Sequence, residues 1–185
     1  MSHDSAFAVP QDRRTTQTLI AYVEDRPGAL NRVVSLFRRR GFNIASLTVG
    51  TTECPGVSRI TLVVNSDADT ARRVKANLEK LVDVLQVQDL TGVAALTREY
   101  ALVKASVPPE KRPELLRLCS VFRARVVDVS PATLTVEITG TPDKVDALLE
   151  VVRPYGIAEM VRTGPLAMGR GAEVNEIKVQ AGMAA

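Results

Sequence analysis

The sequence predicts an α+β fold of two ferredoxin-like βαββαβ units in tandem. Two observations carry this. Apolar runs with strand and helix periodicity follow the order β, α, β, β, α, β from about residue 16 to 90, and the same order returns from 97 to 163. The chain has 185 residues, 45% of them hydrophobic and 24% charged, which suits two small soluble domains. Units of that size bury limited area, so they are expected to pack against each other or a partner. The expected division is a flexible extension over 1–16, domains over 17–92 and 93–171, and a flexible tail over 172–185.

In the first unit, residues 18–23 are β-rich and apolar. Glu24-Asp25-Arg26-Pro27-Gly28 reads as a turn. Residues 29–40 read as a helix with Leu30, Val33, Val34 and Phe37 on one apolar stripe, and Asn31, Arg32, Ser35, Arg38 and Arg39 opposite. Gly41 ends it. Residues 42–52 form the second strand, and Pro55-Gly56 punctuates a hairpin loop. Residues 57–65 return with Ile60, Leu62 and Val64 alternating. Asp67 or Asp69 caps a second helix whose stripe is Ala71, Val74, Leu78 and Leu81. Residues 82–90 close the unit.

In the second unit, residues 97–107 form a strand, and Pro108-Pro109 opens a helix with Leu115, Leu116, Cys119 and Phe122 on its apolar side. Residues 124–129 and 133–139 form strands around a Ser130-Pro131 turn, the latter with Leu134, Val136 and Ile138 on one face. Thr141-Pro142 is a helix start signal, and Val145, Leu148, Leu149 and Val152 make the stripe. Residues 156–163 are the last strand. The Gly- and Ala-rich segment from Gly164 onward is expected to be mobile. The linker at Thr91-Gly92 is short, so the two units are expected to pack closely.

Several functional classes are disfavoured. His3 is the only histidine and lies in the N-terminal extension, so a Ser-His-Asp or Cys-His centre has no base. Cys54 and Cys119 are far apart and form no CxxC motif. The net charge of +3 comes from 24 basic and 21 acidic residues, too small an excess to indicate nucleic-acid binding. Tryptophan is absent and aromatics are 4%, which weakens any base-stacking reading. No apolar run approaches a membrane span, and the start lacks a secretory pattern. A cytoplasmic setting is expected. No Walker loop, GxGxxG or HExxH occurs.

The segment from Glu24 to Leu30 is the most informative. A strand ends and a helix begins there, and first-turn amides of a helix lack internal partners and suit a carboxylate. Gly28 lets a ligand approach the backbone, and Asp25 suits an ammonium group. Together they suit a free amino acid. The plainer reading is that Asp25 caps the helix and Pro27-Gly28 makes the turn. Asn43 can bond a ligand or a turn.

The stretch VEDRPGALNRVVSLFRRRGFNIASLTVG, with SRITLVV, LEKLVDVLQV, REYALVK, FRARVVDVSPATLTVEITG and the Gly169-Arg170-Gly171 ending, resembles the small, regulatory subunit of acetolactate synthase (acetohydroxyacid synthase). The DRPGAL turn alone is shared by many ACT domains. The resemblance runs from about Thr18 to Gly171. It implies an N-terminal ACT domain, a C-terminal ferredoxin-like domain, and a homodimer paired through the edges of its ACT domains. It implies a valine site of Asp25, Gly28, Ala29 and Leu30 from one protomer, with Asn43 and Ile44 of the partner subunit. Some members carry asparagine in place of Asp25.

The implied role is non-catalytic: to activate the catalytic subunit and confer feedback inhibition by valine in branched-chain amino-acid synthesis. Thiamine diphosphate, magnesium and FAD are then expected in the catalytic partner and no cofactor in this chain. An amino-acid-responsive transcription regulator is the alternative, without a helix-turn-helix to support it. A small enzyme on a ferredoxin-like fold, such as a phosphatase, is a third, without a visible general base or phosphate cradle.

Overall fold

The computed structural model describes residues 15–171. The expected 172–185 tail and most of the expected N-terminal extension lie outside the described residues. The first domain comprises β1 (Thr15–Glu24), α1 (Ala29–Arg40), β2 (Ile44–Thr51), β3 (Val57–Ser66), α2 (Ala68–Leu78) and β4 (Val84–Asp89). The second comprises β5 (Ala95–Ser106), α3 (Arg112–Val121), β6 (Arg125–Val129), β7 (Thr133–Gly140), α4 (Pro142–Val152), β8 (Ile157–Arg162) and β9 (Leu166–Gly169). Both sheets are antiparallel, in the orders β2-β3-β1-β4 and β6-β7-β5-β8. These are two βαββαβ units, as the periodicity predicts.

Alternation builds each core. Leu19, Ala21 and Val23 of β1 face Ile60, Leu62 and Val64 of β3 on the side covered by Val33 and Phe37 of α1 and Val74 and Leu78 of α2. The second core repeats this with Ala101, Val103, Leu134, Val136 and Ile138 beneath Leu115, Leu148 and Val152. Side-chain caps define the starts of α2 and α4. Asp67 accepts the Thr70 amide at 2.7 Å, and Thr141 caps α4 ahead of Pro142. Pro113 lies in the first turn of α3, where it removes no helical hydrogen bond.

Three expectations need correction. On α1 the buried set is Ala29, Val33, Leu36 and Phe37, while Leu30 and Val34 are each 41% exposed. The apolar residues cover more of the helix surface than a single chain buries. On α3, Leu115 and Cys119 are buried but Leu116 is 42% exposed. The segment after Gly164 is not wholly mobile, because β9 pairs with the start of β5 from Ala95↔Gly169 to Arg98↔Leu166.

The same short strand, β9, also touches the first domain. Ala167 of β9 and Leu90 pack on Ile20, Tyr22 and Val57, the face of the first sheet turned away from its helices. Arg59 of β3 lies over the Tyr22 ring, 5.9 Å from its centroid, and donates to the carbonyl oxygen of Ala167. The second domain thereby covers a face that helices leave open.

Candidate functional site

The turn between β1 and α1 is pinned from three sides. The Glu24 amide donates to the Asp83 carbonyl oxygen at 2.9 Å, and the Asp25 amide to the Gly56 carbonyl oxygen at 2.8 Å. Within the turn, the Arg26 amide reaches the Glu24 carbonyl oxygen at 3.0 Å and the Ala29 amide reaches that of Arg26 at 3.2 Å. Gly28 occupies the N-cap position with φ +89° and ψ −13°, a left-handed conformation that costs other residues.

No side chain caps α1. This corrects the plainer reading of Asp25 as the cap: the register puts Gly28 there, and Asp25 lies exposed outside the helix. Among the described residues, the amides of Gly28, Leu30 and Asn31 have no hydrogen-bond partner. Gly28 and Leu30 are exposed, whereas Ala29 is buried and its amide is already used within the turn. The site therefore offers three free donors, the Gly28, Leu30 and Asn31 amides, at the positive end of a 12-residue helix.

Beneath the turn lies a carboxylate that sequence reasoning missed. Asp83 is 1% exposed. Its Oδ1 accepts from Arg26 Nε at 2.7 Å and from Arg26 Nη2, and its Oδ2 accepts from Arg32 Nε. Glu24 also pairs with Arg26 at 2.8 Å. The hydrogen bond from Arg32, and then those from Arg26, hold the Asp83 carboxyl below the usual carboxylate range against the opposing effect of burial. The same contact raises the Arg32 guanidinium. The available signal was an aspartate set in the apolar run Leu81-Val82-Asp83-Val84-Leu85, where an unpaired charge is costly.

Asn43 and Ile44 lie elsewhere. Gly41 closes α1, and the Phe42 amide returns to the Phe37 carbonyl oxygen at 3.0 Å. Asn43 is then exposed, and Ile44 begins β2 and packs against the first core. Ile44 pairs with Val64 at one end of β3, whereas Glu24 pairs with Val57 at the other. At about 3.3 Å per residue these ends are roughly 20 Å apart. Within one chain the two halves of the expected site do not meet.

Cys119 is buried, which pushes its thiol up, and Cys54 is a half-buried free cysteine. Among the described residues, no group of three His, Cys, Asp or Glu side chains is placed to hold a metal ion. No helix among them is long and apolar enough to cross a membrane.

Comparison with known proteins gives a consistent result. Residues 19–86 match the AHAS small subunit-like ACT domain, and residues 98–171 match the small subunit of acetolactate synthase. A probable acetolactate synthase small subunit from Methanothermobacter thermautotrophicus is 47% identical over 157 residues, 84% of this chain and 94% of that protein. The acetolactate synthase small subunit of Mycolicibacterium smegmatis is 44% identical over 156 residues, 84% of this chain and 92% of that one. The crystal structure of an acetolactate synthase small subunit from Thermotoga maritima superimposes with a TM-score of 0.80 at 35% identity, covering 86% of this chain and 99% of that chain.

Proposed function

The chain belongs to the acetolactate synthase small-subunit family, and from that premise we propose that it activates a catalytic subunit and makes it sensitive to valine. In this reading the chain performs no chemistry itself. Thiamine diphosphate, magnesium and FAD are bound by the catalytic partner, and both proteins work in the cytoplasm.

The observation that carries the effector reading is the position of β2. It is an edge strand, hydrogen-bonded to β3 alone among the described strands. A second copy pairing antiparallel along this edge, about a two-fold axis near its middle, reverses the strand direction. Asn43 and Ile44 of the partner subunit then lie beside the Thr51 end of β2. That end is two strands, roughly 10 Å, from the end of β1 where the turn begins. A site split across a two-fold edge is complete only in the dimer, and an effector bound there stabilises one arrangement of the two chains.

The chemistry at the turn fits an amino acid. The free amides at the start of α1 suit a carboxylate, exposed Asp25 suits an ammonium, and Leu30 offers an apolar surface. The test is reconstitution. The chain alone should form no acetolactate, whereas its mixture with the catalytic subunit should show raised activity that valine lowers. Activity of the isolated chain, or a mixture indifferent to valine, would overturn the corresponding half of the reading.

A further inference from the structure

Asp83 touches the candidate turn at three places. Its main-chain oxygen receives the Glu24 amide at the entry to the turn. One carboxylate oxygen receives Arg26 from the middle of the turn, and the other receives Arg32 from the first turn of α1. The carboxylate itself is buried, while the Arg26 and Arg32 side chains are 48% and 43% exposed. Each arginine is thus anchored on its inner edge and open to water on its outer edge. A Cβ placed on Gly28 would lie 3.4 Å from Arg32 Nη1, so that outer edge borders the free amides.

We propose that Asp83 is a positioning residue for effector recognition. It acts through Arg26 and Arg32 to fix the geometry of the Gly28 and Leu30 amides, and never touches the ligand. The inference rests on the reading of this turn as an amino-acid site. The charges support such a ligand: two arginines are offset by Asp83 and by Glu24. The cluster thus has no large net charge, which suits a zwitterion better than a multiply charged anion.

Calorimetric titration of valine into the full chain tests it, with thermal melts to confirm folding. Asp83→Asn keeps the shape and removes the charge, so it should weaken valine binding at least tenfold. Arg32→Gln should weaken it comparably, and the double variant should be no worse than the poorer single variant by more than about threefold, because both act through one contact. Asp83→Glu should recover part of the affinity. If Asp83→Asn does not fold, Arg26→Gln and Arg32→Gln, on half-exposed side chains, decide in its place. Valine binding by folded Asp83→Asn within twofold of wild type, or fully additive losses in the double variant, would overturn the inference alone. A wild-type chain that binds none of valine, leucine and isoleucine overturns it together with the effector reading.

Discussion

The hydroxyl of Thr48 on β2 donates to the carbonyl oxygen of Thr163 in the second domain at 2.9 Å. This bond places the loop between β8 and β9 directly on the strand whose free edge is proposed to meet a second copy. The C-terminal domain therefore contacts β2 directly, beside that edge.

Gly164 sits at this contact. Its φ is +74°, and a Cβ there would overlap the Ser46 hydroxyl. Gly164→Ala should cost about 1–2 kcal/mol for the left-handed backbone, and the Ser46 hydroxyl must turn aside to admit the methyl group. A fall in Tm of several degrees is expected by differential scanning calorimetry. An unchanged Tm would show that the loop lifts away from β2 at no cost.

Acid should weaken the fold through identifiable groups. Asp83, Asp67 and Glu137 are all held below their usual carboxylate values, by Arg32 and Arg26, by the Thr70 amide, and by Arg125 and Tyr100 respectively. A depressed folded pKa contributes stability that is fully present above the unfolded value, about 4, and is lost as pH falls through the folded value. Urea midpoints should be nearly level from pH 7 to 5 and decline below 4. The gap between wild type and Asp83→Asn should narrow over that decline. A gap constant down to pH 3 would remove Asp83 from the explanation.

Much of this architecture was legible because it is local. Alternation at Ile60, Leu62 and Val64 identifies a half-buried strand, and Thr141-Pro142 identifies a helix start, without knowledge of the rest of the chain. The missed features are long-range. Asp83 becomes meaningful only when α2 and β4 bring it under a turn more than fifty positions away in sequence. The four residues of β9 are too few to show a period, and they form a strand because the start of β5 is there to pair with. The rotation of α1 that leaves Leu30 and Val34 outward was hidden because both candidate faces are apolar. At the turn, the sequence located the glycine correctly but did not reveal that Gly28, rather than Asp25, is the cap residue.

Those outward residues bear on assembly. Leu30 and Val34 are four residues apart and share one flank of α1. If dimerisation through the first domain covers that flank, Val34→Glu should place a charge in a desolvated surface and weaken the dimer at least tenfold, roughly 1.4 kcal/mol. Sedimentation velocity across a concentration series reads this directly. A variant that stays dimeric at the same concentrations as wild type would show that the flank is uncovered in the assembly.

The sharpest test of the site itself compares two substitutions at Gly28. Both alanine and aspartate must adopt φ +89° and meet Arg32 Nη1 at 3.4 Å, so both carry a backbone cost of about 1–2 kcal/mol. Arginine is flexible and can yield, so neither should unfold the domain. Only aspartate adds a negative charge where a ligand carboxylate is proposed to sit. Two like charges 4 Å apart repel by roughly 1 kcal/mol in water and about 4 kcal/mol at an intermediate dielectric. Gly28→Ala should therefore lose stability with a modest effect on valine binding, whereas Gly28→Asp should lose similar stability and weaken valine by about two orders of magnitude. Titration calorimetry and thermal melts on the same preparations separate the backbone effect from the charge effect. Equal valine affinities for the two variants would mean that the ligand carboxylate lies elsewhere and that Gly28 serves the turn alone.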